Sequence, residues 1–334
     1  MEVLILSHHD VRQLLPMKEC IAVVAEAFKT LAAGDAVQPL RWPLWLPDRS
    51  GVLGMMPGYL GGDIGMLGIK TVSVMPGNHG TEYDSHQGTV MLFEKEHGVL
   101  KAIVDATEIT GIRTAAATGV ATDLLARPDA GDLAILGSGV QARTHLTAML
   151  AVRDIRRIRV WSPNQERLAA FVAWAEREHG VTVETTPDVQ TAVAGADLIC
   201  TTTGAPTPIL AGEWLSPGVH INAVGSSVKH TRELDTDAVV RSSLFVDRRE
   251  STVNEAGDFL FPKQEGAIDD DHILAEIGDL LTGAHPGRTS PDEITLFKSL
   301  GLAIEDIAAA FHVYERGKAE GVGTWVEIGA KRQP

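Results

Sequence analysis

The spacing of apolar residues changes character twice along the chain. Between residues 11 and 33, Ile21, Val24, Ala25 and Phe28 recur at intervals of three and four, which predicts a helix. From Leu40 the rhythm breaks. Pro43, Pro47, Gly51, Gly54, Pro57, Gly61 and Gly62 punctuate short apolar runs, the mark of strands and turns rather than long helices. Residues 66–74 read as a strand, and the runs 88–94 and 99–104 flank Lys95-Glu96-His97-Gly98 as a hairpin. An α+β domain with a largely antiparallel sheet is predicted. Residues 107–125, rich in Ala and Thr and followed by Pro128, read as a helix leading out of it.

After Pro128 strand and helix alternate. Strands are predicted at 133–136, 157–161, 181–184, 197–201, 219–224 and 244–247, with helices at 143–151, 165–178 and 189–194. That succession implies a parallel sheet covered by helices, so the fold class is α/β: a Rossmann-type domain beside the α+β domain. A last helix, 300–317, follows the alternation and is expected to return to the first domain. The boundaries are placed at 1–121 with 306–334 for the α+β domain, and 122–305 for the Rossmann-type domain.

The first unit of the alternation carries Gly137-Ser138-Gly139-Val140-Gln141-Ala142 between a strand and a helix. This is the layout that binds a dinucleotide pyrophosphate. The first Gly permits the tight turn, the second lets backbone approach the phosphate, and the small Ala142 allows the helix to pack closely on the sheet. The helix N-terminus presents free N–H groups and a partial positive charge to the anion.

Composition narrows the partners. The chain has 334 residues, long enough for two domains, and a formal charge of −15 with no Lys/Arg run, which argues against nucleic acid. Cys20 and Cys200 both lie in apolar segments and read as small buried hydrophobes, not a disulfide framework. The N-terminal run lacks a basic region and a cleavage site, and no apolar stretch approaches a membrane span. A cytoplasmic protein without a bound metal is expected.

Three cations stand where long charged residues are unusual: Arg41 between Leu40 and Trp42, Lys70 inside the strand 66–74, and Arg113 among small and apolar residues of the helix 107–125. Buried cations need anionic partners. Taken singly, each is open to a structural ion pair or to snorkelling into solvent as well as to binding a ligand.

In these segments the sequence resembles the ornithine cyclodeaminase/mu-crystallin family, over nearly the whole chain. The resemblance is carried by Met56-Pro57, Gly68-Ile69-Lys70, Ile109-Thr110-Gly111-Ile112-Arg113-Thr114-Ala115-Ala116, the glycine loop, and the run from Gly218 to Gly225 containing His220-Ile221-Asn222-Ala223-Val224. Glu233-Leu234, Val246-Asp247, the run Glu255 to Asp258, Thr295 to Gly301, and Glu305-Asp306 extend it. The resemblance implies that Arg41, Lys70 and Arg113 hold the carboxylate of an amino or imino acid. Arg offers a planar fork and Lys a point charge able to handle a proton. It implies a nicotinamide cofactor on Gly137 to Ala142, reached also by Thr114, by Thr201, Thr202 and Thr203, and by Val224 and Gly225. A site between the two domains and a homodimer through the substrate-binding α+β domain are implied as well.

One departure is informative. Where ornithine cyclodeaminases are expected to carry Gly-Asp after Gly225, this chain has Ser226-Ser227. A serine cannot replace a carboxylate as general base without an activating partner. Members of the mu-crystallin-like, ketimine-reducing branch are similar in having Ser there. Ser227 therefore points to hydride transfer to an imine, unless the pair only shapes the turn. The alternatives are ammonia-releasing cyclisation of ornithine or lysine with bound NAD, and a binding protein without turnover. Glu255 matches an acidic position of the ketimine-reducing branch and could stabilise an iminium; its other reading is a helix N-terminal charge. Lys298 and Asp306 are assigned structural roles near the edge of the cofactor domain. The second strand of the Rossmann unit ends in Ser162-Pro163-Asn164 with no acid, which favours NADP over NAD, with Ser162, Asn164 or Arg167 as bonds to a 2′-phosphate. Trp42, Trp45, Met55, Met56 and His79 are candidates for the substrate pocket.

Overall fold

Pro16 divides the predicted helix over 11–33. The chain opens with β1 (Glu2–Leu6) and α1 (His8–Leu14), whose N-cap Ser7 and Asp10 bond reciprocally, and α2 (Met17–Ala32) starts immediately after the proline. Proline is tolerated there because the first N–H groups of a helix lack intrahelical partners anyway. β2 (Ala36–Val37) and β3 (Trp42–Trp45) lead to β4 (Val52–Leu60), β5 (Met66–Val74), β6 (His86–Glu94), β7 (Leu100–Asp105) and α3 (Ala106–Leu125). The computed structural model describes residues 2–78 and 81–329, so His79 lies outside the described residues.

β4 is longer than its punctuation predicted, because it pairs along its whole length with β5. On its other side β2 ends opposite Tyr59 and β3 begins opposite Met55. Pro57 falls between them, where a residue without an N–H breaks no ladder on that side.

The second unit begins inside α3. Residues 111–122 of that helix are buried throughout, which explains its Ala, Thr and Gly content: small side chains let neighbours approach on every face. Its elements are β8 (Asp132–Leu136), α4 (Val140–Val152), β9 (Arg157–Trp161), α5 (Gln165–His179), β10 (Glu184–Thr185), α6 (Val189–Val193), β11 (Leu198–Thr201) and β12 (His220–Ala223). Then come α7 (Thr236–Val240), β13 (Ser243–Val246), α8 (Arg249–Glu255), α9 (Gly257–Gln264), β14 (Ile273–Glu276), α10 (Ile277–Leu281) and β15 (Thr295–Lys298). The sheet order is β10-β9-β8-β11-β12-β15-β13-β14, with every pair parallel. The order reverses beside β8, so the carboxyl ends of β8 and β11 border the crevice where such sheets take ligands.

The chain then returns to the first unit with α11 (Ala303–Glu320) and β16 (Thr324–Glu327). That unit's sheet runs β16-β1-β7-β6-β5-β4-β2, with β3 also on β4; it is antiparallel except for β1 with β7. α11 approaches the sheet closely because Gly58 and Gly68, register partners on β4 and β5, lie beneath it. A Cβ on Gly68 would sit 2.6 Å from Ile307 Cγ1. The units divide at Arg113/Thr114 and Gly301/Leu302, not at the sequence boundaries of 121/122 and 305/306. The difference matters, since Arg113, Glu305 and Asp306 all fall in the first unit.

Candidate active site

The close packing of α11 on β5 places its first turn against Lys70, two residues beyond Gly68 on the same strand face. Lys70 Nζ bonds Asp306 Oδ1 at 3.0 Å, lies 2.8 Å from Oδ2, and reaches Thr110 Oγ1 at 3.3 Å. Arg113, from the middle of α3, donates Nε to Asp306 Oδ1 at 2.8 Å and Nη1 to Glu305 Oε2 at 2.9 Å. Lys70 and Arg113 are 2% and 4% exposed and both carboxylates are fully buried. Two acids in the first turn of a long helix are favoured by the partial positive charge of its N-terminus. Glu305 Oε1 also accepts the Leu302 N–H, and Gln38 Oε1 accepts that of Ile304.

The cluster sets the protonation of Lys70. Desolvation, the Arg113 charge and the Arg41 charge depress its pKa; Asp306 opposes them, and the outcome is about 8. Burial also works against the Arg113 charge, but Asp306 and Glu305 outweigh it and hold the guanidinium above its ordinary pKa. Lys70 and Arg113 are thus already engaged with protein carboxylates, which sequence reasoning left as open cations. Asp306, read from sequence as an edge residue of the cofactor domain, sits at the centre of the cation cluster. Lys70 and Arg113 thus converge on two carboxylates, and Arg41 acts on Lys70 through its charge.

The glycine loop has the shape its sequence predicts. Gly137 adopts φ +123°, and a Cβ there would lie 2.7 Å from Thr202 Oγ1, so conformation and crowding both demand glycine. Gly139 is the N-cap of α4, with no side chain bonding the exposed N–H groups and nothing within 4 Å of a Cβ position. The N-termini of α5, α6 and α7, by contrast, are closed by Asn164, Asp188 and Asp235. An open helix N-terminus beside unfilled space fits a pyrophosphate. Val140 is 59% exposed on the first turn, Ala142 is buried against the sheet, and the buried Gln141 Oε1 has no hydrogen-bond partner. Below the loop, His145 is buried between Gln141 O and Thr118 Oγ1, and desolvation pushes its pKa down to about 4. It serves as a neutral packing residue.

Two of the residues proposed for a 2′-phosphate are engaged internally. Ser162 Oγ accepts from Ser138 Oγ at 2.9 Å, and Asn164 Oδ1 accepts the Arg167 N–H as the cap of α5. Arg167 itself is exposed. Nearby, Trp161, Asp188, Val189, Gln190, Ile209 and Trp214 line a hollow; Ile209 and Trp214 carry no motif that would have singled them out. Thr114 is buried in α3 at the start of the second unit. Thr202 caps the β8 end by donating to Leu136 O from both N and Oγ1. Thr203 and Gly225 are both tied to Glu233, which entered the family resemblance without a role assigned to it.

Ser226 is buried and donates Oγ to Thr231 O at 2.6 Å, so it shapes the turn after β12. Ser227 and Val224, its neighbours in that turn, are half-buried and buried. Lys298 is paired with Asp258 at 2.8 Å within the second unit, consistent with a structural role. Glu255 is the last residue of α8 and directly precedes Ala256, the N-cap of α9. Of the pocket candidates, Trp42 and Trp45 lie exposed on β3, while Met55 and Met56 lie half-buried and buried on β4. Glu94, Glu96 and His97 cluster at the β6–β7 turn, where Glu94 accepts the N–H groups of Glu96, His97 and Val99.

Comparison with known proteins accords with this geometry. Residues 1–321 match the ornithine cyclodeaminase/mu-crystallin family. The ketimine reductase mu-crystallin of Mus musculus is 39% identical over 282 residues, 84% of this chain and 86% of its own. The structure of Thermococcus litoralis Delta(1)-pyrroline-2-carboxylate reductase, in complex with NADH and L-proline, is 39% identical. It superposes with a TM-score of 0.94 over 96% of this chain and 99% of its own. An archaeal alanine dehydrogenase dimer with bound NAD, 33% identical, superposes with a TM-score of 0.92 over 98% and 100% of the two chains.

Proposed function

The chain belongs to the ornithine cyclodeaminase/mu-crystallin family, and from that premise we propose that it catalyses the NAD(P)H-dependent reduction of a small ketimine carboxylate to the amino acid, reversible as an amino-acid dehydrogenase. The observation that carries this reading is the buried Lys70–Arg113–Asp306–Glu305 cluster, in which two carboxylates fix an arginine beside a lysine of lowered pKa.

Arg113 and Arg41 are assigned to receive the substrate carboxylate as planar donors, and Asp306 and Glu305 hold Arg113 rigid so that little side-chain entropy is lost on binding. Lys70, with its pKa near neutrality, donates the proton that the developing amine nitrogen requires and accepts it in the reverse direction. Glu255 supplies negative charge for a protonated iminium. When bound, the dinucleotide supplies a hydride. The amides at the start of α4, with Gly137, Ser138, Gly139, Val140, Gln141 and Ala142, hold its pyrophosphate, and the hollow between Trp161 and Trp214 takes its adenine. Thr114, Thr202, Thr203, Val224 and Gly225 are assigned to the nicotinamide half. Ser227 is assigned to the substrate side, in place of the acid that cyclodeamination would need.

The missing acid after β9 removes the repulsion a 2′-phosphate would meet, and the exposed Arg167 is the remaining cation for it. NADPH is accordingly expected to serve at least as well as NADH. A cytoplasmic homodimer is the expected working form; among the described residues no helix is long and apolar enough to cross a membrane.

The test is loss of reduced-nicotinamide absorbance with pyruvate plus ammonia, pyrroline-2-carboxylate and piperideine-2-carboxylate in turn, with each cofactor. Turnover of at least one imine is expected. Ammonia release from ornithine or lysine without net cofactor change would instead establish the cyclodeaminase alternative, and tight binding without turnover a binding protein.

A further inference from the structure

Glu233 is a fully buried carboxylate that the reaction above does not use. Four donors converge on it. Thr203 N and Thr203 Oγ1 reach Oε1, each at 2.7 Å, and Thr201 Oγ1 and Gly225 N reach Oε2, each at 2.7 Å. These donors belong to two different turns, one leaving β11 and the other leaving β12, adjacent strands of the parallel sheet. The turns are pressed together: a Cβ on Gly225 would lie 2.1 Å from Thr203 O. Glu233 is anchored in turn by its own N–H, which donates to Asp258 Oδ1 at 2.8 Å. The other oxygen of Asp258 takes Lys298 Nζ at 2.8 Å, and Lys298 also bonds Ser226 O.

A carboxylate in this position does something a neutral group cannot. Both of its oxygens are pure acceptors, and each faces one backbone N–H. Burial pushes its pKa up, as does Asp258, while the bonds from Thr201 and Thr203 and the charge of Lys298 oppose the rise. Fixed backbone amides that belong to a ligand-facing turn are worth more preorganised than mobile, because the ordering cost is met in folding rather than on binding.

We propose that Glu233 is a positioning residue for the nicotinamide half of the cofactor: it locks the Thr203 and Gly225 turns into the geometry that receives that half, without touching it. The inference rests on the assignment of Thr203 and Gly225 to the nicotinamide side. Among the described residues Glu233 makes no bond to the glycine loop; only Thr202, between Thr201 and Thr203, meets that loop, and it is held by its own two bonds to Leu136 O. The adenine and pyrophosphate subsites therefore keep their geometry without Glu233.

The experiment is equilibrium binding of NADH and NADPH, followed by energy transfer from tryptophan, with ADP measured by displacement. Glu233→Gln keeps the size but replaces one oxygen by NH₂. Whichever way the amide turns, it sets a donor against either the Thr203 or the Gly225 N–H. The expected result is a rise of about 10- to 100-fold in the dinucleotide Kd, the range of one charged hydrogen bond lost. ADP affinity should stay within about twofold of the wild type, since its subsites are untouched. Thr201→Val removes one donor and leaves both backbone amides in place; a rise of about threefold is expected, in the same direction. Parallel weakening of NADH and ADP would show a merely structural role and overturn the proposal. So would unchanged NADH binding in a folded Glu233→Gln protein, or in Thr201→Val should the first variant fail to fold. A wild-type chain that binds neither NADH nor NADPH would overturn the cofactor assignment itself.

Discussion

Replacing Asp306 by Asn tests the cation cluster where its electrostatics are most exposed to measurement. Asp306 is the anion that keeps Lys70 protonated, against desolvation and the charges of Arg113 and Arg41 that bring it down to about 8. The substitution removes a negative charge 2.8 Å from Nζ and leaves a carbonyl able to accept a hydrogen bond. At an effective dielectric of about 20 the lost attraction is roughly 6 kcal/mol, an upper bound of about four pKa units. Relaxation of the site reduces this, and opposite charges at such range shift a pKa by about one to three units. Lys70 should then titrate between about 5 and about 7.

The assay is the pH dependence of kcat/KM for imine reduction. In the wild type the reductive rate should fall as pH rises through about 8, because the proton donor is lost, and the reverse reaction should rise through the same limb. In Asp306→Asn the limb moves down, and reduction at about pH 7 drops by a factor of roughly two to a hundred. The substrate has its own ionisation, but it is common to both enzymes and cancels in the comparison. Glu305→Gln is the control: Glu305 bonds Arg113 and the Leu302 N–H, and it does not bond Lys70. Its limb should stay within about half a unit of the wild type. Removing one member of a buried pair costs about 3–5 kcal/mol, so both variants need a cooperative melt above the assay temperature. A limb unmoved in folded Asp306→Asn, or moved equally in both variants, would refute the assignment of Lys70 as the titrating donor.

The same cluster gives a stability signature. A lysine whose folded pKa lies near 8 against 10.5 when free leaves the unfolded chain holding more protons between those values, so stability rises with pH across that window. Relative to Lys70→Met, the wild type should gain up to about 3 kcal/mol in denaturant unfolding between those pH values; parallel curves would contradict the shift. Arg113→Ala should abolish turnover while NADH binding stays within about threefold, and equal loss of both would remove Arg113 from the substrate side. Gly137→Ala forces a side chain into a left-handed backbone and against Thr202. It should lower stability by about 1–3 kcal/mol and dinucleotide affinity with it, as read by thermal melts with and without NADH.

Sequence reasoning found features whose physics is local. The glycine loop was legible because strand, turn and helix follow one another within about twenty residues, and each glycine answers a steric need of its own neighbourhood. Lys70 and Arg113 stood out because their immediate neighbours are apolar. Their anionic partners did not. Asp306 lies 236 residues from Lys70 and 193 from Arg113, and Glu305 lies 192 from Arg113, on a helix that reads as an ordinary amphipathic return. What brings them together is the glycine pair at Gly58 and Gly68, whose missing side chains let α11 settle onto the sheet. In sequence neither glycine announces a helix lying over it: Gly68 falls inside the strand read at 66–74, and Gly58 lies in a stretch that Pro57 and the glycines around it made look broken.

That pairing changes what the cations are for. An open Lys–Arg pair would bind any anion and pay to order long side chains each time. With Asp306 and Glu305 in place, most of that ordering is complete before a ligand arrives. A second negative charge on a ligand would face the buried Asp306 and Glu305, so the cluster selects against dicarboxylates by repulsion. A dicarboxylate imine is accordingly expected to show kcat/KM at least about tenfold below its monocarboxylate analogue of equal length, the factor set by roughly 1.4 kcal/mol of unfavourable charge. Equal turnover of the two would show that the carboxylates do not limit the charge the site accepts.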